Sequence, residues 1–169
     1  MEPKDSILGI LRSAINIEQF GIRYYNALSS AVDNQDAKDL MKYLVDAEES
    51  HKRILENLFN SEKELGDAAA RPLPLDNLDK DGQLAIFSEP LDDVDPTEVG
   101  VEEALQYGIN VEAKSINFYK SVMKIIDDVE LTDTLQNLVD FEGEHLALLK
   151  KNLSEYRSSG NWCGYIAIQ

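Results

Sequence analysis

The chain has 169 residues, of which 43% are hydrophobic and 28% are charged, and its formal net charge is −16. These values predict one soluble globular domain over residues 1–169. The acidity argues against nucleic acid or an anionic membrane as a partner, and no apolar run reaches the ~20 residues of a membrane span. The single cysteine, Cys163, excludes an internal disulfide and a four-cysteine metal site. Because the chain starts without a basic and apolar leader, we expect a cytoplasmic protein.

Four amphipathic helices are predicted from the spacing of apolar residues and from polar residues at their expected starts. They span about residues 6–32, 35–65, 97–126 and 130–156. We expect Asp5 or Ser6 to cap the first helix, Asn34 the second, and Asp95 or Thr97 the third. Short turns separate the first two helices and the last two, which predicts two antiparallel hairpins. The expected fold class is therefore an all-α four-helix bundle.

The two hairpins are joined by a long predicted crossover, residues 67–96, which contains four prolines and little periodicity. Loops of this length are uncommon in a compact domain unless they have a role. Here the role is to bring the chain to the opposite end of the bundle, and we expect the apolar residues 84–87 to pack on the core. The tail, residues 158–169, is expected to dock on this chain or on a partner chain.

The two hairpins share an internal repeat with an offset of 94 residues. Residues 11–55 align without a gap on residues 105–149, and fourteen of the 45 positions are identical. The repeat contains a Glu-x-x-His pair, preceded thirty residues earlier by a lone Glu. The residues concerned are Glu18, Glu48 and His51 in the first unit and Glu112, Glu142 and His145 in the second.

These six residues interrupt stripes that are otherwise apolar. The stripes contain Leu11, Ile15, Glu18, Ile22 and Tyr25; Met41, Leu44, Glu48, His51 and Leu55; and their counterparts 94 residues later. Steps of three and four mark one helix face, which points to a core. Buried carboxylates are costly unless they are neutralised. Four carboxylates are balanced by two divalent cations, so the sequence predicts a two-metal site.

One Glu from each of two helices, together with Glu-x-x-His from each of the other two, is the pattern of ferritin-like di-iron carboxylate proteins. Iron and manganese accept carboxylate oxygen and imidazole nitrogen, and zinc also binds such ligands. In this pattern Glu48 and Glu142 bridge two metals, Glu18 and Glu112 are terminal ligands, and His51 and His145 complete the two shells. We expect Glu48 and Glu142 to be catalytic, together with Tyr25 and Tyr119, which are either hydrogen-bond donors to the metal ligands or ordinary core aromatics.

On these six residues the sequence resembles the rubrerythrin-type branch of the ferritin-like superfamily over its four helices. The resemblance implies a non-haem di-iron site that reacts with hydrogen peroxide or dioxygen. The rubredoxin domain of many rubrerythrins is missing, so the resemblance implies an external electron donor such as a rubredoxin. Ser115 stands where peroxidase-type rubrerythrins carry an extra glutamate, which favours ferroxidase-like chemistry, and Glu49 replaces the methionine that binds haem in bacterioferritin, so no haem is expected.

The leading functional hypothesis is an oxidoreductase that uses two iron ions, with manganese or zinc as possible substitutes, in a homodimer. Two alternatives stay open: a ferritin-like protein that binds or stores iron, and a non-catalytic interaction module with a structural metal. We also expect the repeat to give two closely similar metal shells. Asp46 and Asp140 are expected either to face solvent or a neighbouring group or to hydrogen-bond a ligand histidine, whereas Glu49 and Glu144 are expected to face solvent or an interface. Gly143 is expected to permit a close helix approach.

Overall fold

The computed structural model describes residues 6–64 and 94–165, and these residues form four helices. The helices are α1 (Ile7–Ala31), α2 (Gln35–Glu64), α3 (Val101–Met123) and α4 (Val129–Ser159). Helix α1 packs along α2 and α3 along α4, and the two hairpins meet through α1 with α3 and α2 with α4. The expected all-α bundle of two helical hairpins is confirmed. None of the helices described here is long and apolar enough to cross a membrane.

Side-chain caps fix the starts of three helices. The Ser6 hydroxyl accepts from the amide of Gly9 at 3.0 Å, and the Asn34 side chain accepts from Ala37 N at 3.0 Å. Asp128 caps α4 by accepting from Leu131 N at 2.8 Å. Each cap satisfies a backbone N–H that has no partner within its helix. The caps expected at Ser6 and Asn34 therefore form as their sequence context predicts.

The predicted start and end of the third helix are wrong. Asp95 accepts hydrogen bonds from the amide and hydroxyl of Thr97, which closes a turn before the helix. Helix α3 begins four residues later, at Val101, with Gly100 as its N-cap. It ends at Met123, where the amides of Lys124 and Ile125 bond to the carbonyls three residues back, Ser121 O and Val122 O, in a tighter turn than that of an α-helix. Asp95 therefore accepts hydrogen bonds of the kind expected of a cap, but it does so in a turn and not at the start of the helix.

The apolar core is divided into two clusters. One contains Tyr25, Leu28, Leu44 and Leu105 with their neighbours, and the other contains Leu11, Leu55, Tyr119 and Leu138 with theirs. Helices α1 and α3 each contribute the residues before their central glutamate to one cluster and the residues after it to the other. The division follows from the sequence, since polar residues occupy the middle of every core-facing stripe. Residues 1–5, 65–93 and 166–169 lie outside the described residues, and they include the alternative cap Asp5, the expected end of the second helix at residue 65 and the expected anchor at 84–87.

Candidate metal centre

Six polar side chains meet in the middle of the bundle, between the two apolar clusters. Helix α1 contributes Glu18, α2 contributes Glu48 and His51, α3 contributes Glu112, and α4 contributes Glu142 and His145. Each side chain belongs to a residue that is no more than 4% exposed. The structure therefore brings together all six residues that the sequence selected, and it buries them.

The six residues form two groups of four that share Glu48 and Glu142, with candidate ligand atoms within 4.8 Å of one another in each group. We call these groups the His51 half-site and the His145 half-site. In the first, Nδ1 of His51 lies 3.1 Å from Glu142 Oε1, 3.4 Å from Glu18 Oε2 and 3.5 Å from Glu48 Oε2. The second half-site repeats this arrangement around His145.

In the His145 half-site, Nδ1 of His145 lies 2.9 Å from Glu142 Oε2, 3.3 Å from Glu48 Oε1 and 4.0 Å from Glu112 Oε2. Glu48 and Glu142 thus each direct one oxygen to one histidine and the other oxygen to the second histidine. A carboxylate oriented in this way is arranged to bridge two cations. The terminal glutamates each face only one histidine.

Two tyrosines link the hairpins at the terminal glutamates. The Tyr25 hydroxyl of α1 donates to Oε1 of Glu112 in α3, and the Tyr119 hydroxyl of α3 donates to Oε1 of Glu18 in α1. Burial, followed by the nearby carboxylates, raises the pKa of both tyrosines well above the ordinary value, so both remain donors. Of the two interpretations left open by the sequence, hydrogen bonding to the glutamates is the one that the structure adopts.

The terminal and shared glutamates differ in protonation in the metal-free protein. Burial raises the pKa of Glu18 and Glu112 well above the ordinary value, and the charges of Glu142 and Glu48 raise it further. Burial also favours the neutral forms of Glu48 and Glu142, but the neighbouring Glu18 and both histidines lower the pKa of Glu48, and both histidines lower the pKa of Glu142. The site therefore favours the ionised form of the shared pair and the protonated form of the terminal pair.

The histidines are the counter-charges of the shared carboxylates. Burial alone would lower the pKa of His51, but the hydrogen bond with Glu142 and the nearby carboxylates of Glu18 and Glu48 raise it to about 12. For His145 the same competition, with hydrogen bonds to Glu142 and Glu48, raises the pKa to about 9. Two imidazolium ions thus neutralise two carboxylates. Replacing these protons by divalent cations would free all four carboxylates and both imidazoles as ligands.

The donor set fits such cations. Oε2 of Glu18 has no hydrogen-bond partner among the described residues, although it is buried. His51 Nδ1 lies 3.4 Å from it but does not have hydrogen-bond geometry. A buried, unpartnered carboxylate oxygen is costly in a folded protein. Because Tyr119 holds the other oxygen of Glu18, Oε2 is the atom left for a metal, and four carboxylates with two imidazoles match the preference of iron or manganese.

The surroundings of the two half-sites are not alike. The His145 ring meets the ring of Tyr43 edge-on, with centroids 6.0 Å apart, and Tyr43 stacks on Tyr165 at 4.0 Å. The His51 ring instead stacks on Phe141 at 5.4 Å, and Phe141 is 45% exposed. The repeat offset places Asn137 opposite Tyr43 and Ala47 opposite Phe141. The aromatic cover therefore comes from positions that the repeat does not share.

The remaining acids near the motif lie outside both groups. Asp46 is exposed and pairs with Lys42 at 2.7 Å, and Asp140 is exposed and accepts from Gln136 at 2.9 Å. Glu49 and Glu144 are exposed as well. Their off-stripe positions explain this, since they lie on the solvent side of α2 and α4.

Three small residues near the site differ in their contacts. The buried hydroxyl of Ser115 donates to Val111 O at 3.1 Å. A Cβ at Gly21, the repeat counterpart of Ser115, would lie 3.3 Å from Cγ of Glu48. A Cβ at Gly143 would have no neighbour within 4 Å among the described atoms, so the close helix approach expected there is wrong.

The sequence analysis missed Asn152, a polar residue on the core face of α4. Asn152 is 0% exposed, and its Oδ1 accepts from the amides of Cys163 and Gly164 at 3.1 and 3.0 Å. Its amide group donates to Leu148 O and Gly164 O. The tail was expected to dock on this chain or on a partner chain. As far as Tyr165, it docks on this chain. The sequence feature that could have identified Asn152 as buried is its position as a single asparagine among Leu148, Leu149 and Leu153.

Comparisons with known proteins agree with this architecture. A family model described as Rubrerythrin matches residues 9–153. The fold is similar to that of a ferritin-like diiron-carboxylate protein from Thermotoga maritima, with a TM-score of 0.70, 24% identity, and coverage of 92% of this chain and 97% of that one. It is also similar to a protein from Pyrococcus furiosus, with a TM-score of 0.65, 18% identity, and coverage of 90% and 91%. A comparison with curated proteins finds no match.

The two structural similarities, at low identity, concern the fold, whereas the family model concerns the sequence. It covers all four helices with both Glu-x-x-His pairs and both lone glutamates. The buried cluster of four carboxylates and two histidines is the feature expected of a ferritin-like di-metal protein. The chain therefore belongs to the rubrerythrin family.

Proposed function

We propose that this protein is a non-haem di-iron oxidoreductase that reduces hydrogen peroxide or dioxygen. The observation that carries the proposal is the pair of half-sites that share Glu48 and Glu142, with one carboxylate oxygen of each directed to each histidine. A single structural metal would not need a second complete set of donors. Two equivalent sets around shared carboxylates are suited to two metals that act together.

In this proposal Glu48 and Glu142 would hold both metals, whereas Glu18 with His51 and Glu112 with His145 would each hold one. Bound ferrous iron supplies the electrons with which the oxidant is reduced. Tyr25 and Tyr119 hold one oxygen of each terminal glutamate and leave the other oxygen facing the site. The two apolar clusters on either side exclude water and strengthen every electrostatic interaction inside.

The protons of the metal-free site are part of the proposed chemistry. Burial and the charged shared pair raise the pKa values of Glu18 and Glu112, which favours their protonated forms. Metal binding displaces these protons and those of the histidines, so uptake of iron should be favoured by rising pH. Neither Ser115 nor its repeat counterpart Gly21 has a carboxylate that could serve as a further ligand. The Ser115 hydroxyl donates instead to Val111 O. We therefore propose ferroxidase-like chemistry with two similar metal environments.

The cellular setting is part of the same proposal. We propose iron as the metal, with manganese or zinc as possible substitutes, no haem, a homodimer in the cytoplasm, and an external electron donor protein such as a rubredoxin. The chain's 32 acidic against 16 basic residues favour attraction of cations and disfavour nucleic acid. Iron storage in a larger assembly and a structural metal in an interaction module are the competing hypotheses.

The test begins with metal analysis of protein purified without oxygen. The ferrous-loaded protein is then mixed with peroxide or dioxygen, and the rate of oxidant loss is compared with that for free ferrous iron. We expect binding of two irons per chain and faster consumption with protein. The variant Glu142→Gln should abolish the acceleration, whereas Asp140→Asn, an exposed acid on the same helix, should leave it unchanged.

Three results would contradict the proposal. Oxidant loss no faster than with free iron would remove the enzymatic function. Many irons per chain in a large assembly, measured by solution mass together with iron analysis, would favour storage. Glu48→Ala and Glu142→Ala variants that lose stability without any change in redox activity would favour the interaction module.

A further inference from the structure

Three aromatic rings lead from the protein surface to the His145 half-site. Tyr165 is 45% exposed and stacks on Tyr43, with ring centroids 4.0 Å apart and planes inclined by 21°. Tyr43 in turn meets the His145 ring edge-on, with centroids 6.0 Å apart. A continuous set of ring contacts therefore joins solvent to a histidine of the candidate metal centre.

Hydrogen bonds and close packing fix the tail backbone next to Tyr165. The side chain of Asn152, fully buried, makes three hydrogen bonds to the backbone of Cys163 and Gly164. Gly164 has a φ of 65°, and a Cβ there would lie 3.1 Å from Cβ of Asp36. A larger residue would strain this turn and press on α2. The backbone next to Tyr165 is thus held against the helix that carries Tyr43.

The ring that stacks on the histidine of the His51 half-site is a phenylalanine, although Tyr119 donates to Glu18 of the same half-site. Its histidine stacks on Phe141, whose ring lacks the hydroxyl proton that a tyrosine loses on oxidation. The repeat counterpart of Tyr43 is Asn137, which is exposed. Oxidisable rings next to a histidine therefore distinguish one half-site from the other, although the inner ligands match.

We infer that Tyr43 and Tyr165 form an electron relay that connects the His145 half-site with a one-electron donor at the protein surface. The inference rests on the proposed function, because it needs iron at the site and an oxidant. It adds the route by which single electrons reach the site, and it assigns the tail a role in that route. Tyr43 and Tyr165 are relay residues and make no proposed contact with the oxidant.

In the proposed reaction, hydrogen peroxide accepts two electrons and two protons and gives two waters. With one ferrous ion bound, its oxidation to the ferric state would supply one electron and Tyr43 would supply the other. The Tyr43 hydroxyl proton and one proton from solvent would complete the two waters. Tyr165 then gives an electron to the Tyr43 radical and loses its own proton to solvent, and Tyr43 regains a proton. A surface reductant, such as a reduced electron-carrier protein, finally restores Tyr165 with one electron and one proton.

The experiment locates the oxidised tyrosines directly. The protein is loaded anaerobically with one ferrous ion per chain and mixed with one equivalent of hydrogen peroxide. A nitroso spin trap is present, and peptide mass spectrometry maps the adducts. We expect adducts on Tyr165 that disappear when iron is omitted. Y43F keeps an aromatic ring in the stack but removes the phenol, and it should reduce the Tyr165 adduct to the level of the iron-free sample.

A matched control is Y156F, because Tyr156 is also next to the tail but contacts Trp162, with ring centroids 6.0 Å apart. Y156F should leave the Tyr165 adduct unchanged. Iron content and thermal unfolding of Y43F verify that the variant is folded and loaded. A Tyr165 adduct unaffected by Y43F, or adducts confined to Tyr24 or Tyr25, with normal peroxide consumption, would overturn the relay alone. Failure to bind iron or consume peroxide would overturn the relay and the proposed function together.

Discussion

The two half-sites show how an internal repeat preserves a site and how far the preservation extends. Around His51 and His145 the inner arrangement is nearly the same, with one terminal glutamate, both shared glutamates and a tyrosine from the opposite hairpin. The residues that surround these ligands are not alike, since Phe141 packs on His51 and Tyr43 packs on His145. The residues that must meet two cations are repeated. The residues that pack against the two histidines from outside differ.

The largest expected effect separates shared from terminal glutamates. Glu48→Ala should abolish binding of both metals, because this carboxylate directs one oxygen to each half-site. Glu18→Ala and Glu112→Ala should each weaken mainly one metal. Metal content after anaerobic loading and dialysis measures the difference. Retention of one tightly bound metal in Glu48→Ala would show that the half-sites do not share this ligand.

A second pair of variants tests whether the two terminal glutamates are held equally. Tyr25→Phe and Tyr119→Phe each remove a buried hydroxyl that donates to a glutamate oxygen of the other hairpin. Loss of such an outer hydrogen bond typically lowers metal affinity about 10–100-fold. We expect similar losses for both variants in competition titrations with a metal chelator. A loss confined to one variant would show that the inner shells also differ.

The pH dependence of the metal-free protein should distinguish the two histidines. Three nearby carboxylates, of which Glu142 is hydrogen-bonded, raise the pKa of His51 to about 12, whereas the pKa of His145 is raised to about 9. Nuclear magnetic resonance titration should therefore show His145 losing its proton near pH 9 while His51 remains protonated. Coinciding titrations would indicate that the half-sites are electrostatically equivalent.

The same shift predicts the direction of the stability change. The pKa of His145 is higher in the folded than in the unfolded chain, so its contribution is complete below about pH 6.5 and is lost as pH rises through about 9. In this range the free energy of unfolding should fall by about 1.4 kcal/mol per pH unit for each additional proton bound by the folded state. Urea unfolding at several pH values measures this fall. Increasing stability of the metal-free protein towards pH 9 would contradict the assignment.

The smallest effect compares two glycines within helices. Gly143→Ala meets no described atom within 4 Å and should raise the free energy of unfolding by up to about 1 kcal/mol through helix propensity. Gly21→Ala receives the same helical gain, but its Cβ would lie 3.3 Å from Cγ of Glu48 and displace that side chain. We expect lower metal affinity only for Gly21→Ala. Equal affinity in both variants would show that Glu48 adapts freely.

The sequence alone predicted the bundle and the six residues at its centre, because both depend on periodicity. A glutamate or histidine on an apolar stripe must be buried wherever the helix packs. The caps at Ser6 and Asn34 are likewise local and were predictable. The start of α3 was not, since Asp95 offers the same hydrogen-bonding chemistry to a turn as to a helix. Nothing within a few residues of Asp95 distinguishes the two outcomes.

Contacts between elements were decided by the tertiary structure. The sequence placed Tyr25 and Tyr119 on the same stripes as Glu18 and Glu112, but it did not show that each hydroxyl crosses to the other hairpin. It placed Asn152 on a core face without indicating that the tail folds back to meet it. It also gave no sign that Tyr165 lies on Tyr43 beside His145. Helical periodicity fixes which face a side chain occupies, whereas its partner depends on the packing of segments that are distant in the chain.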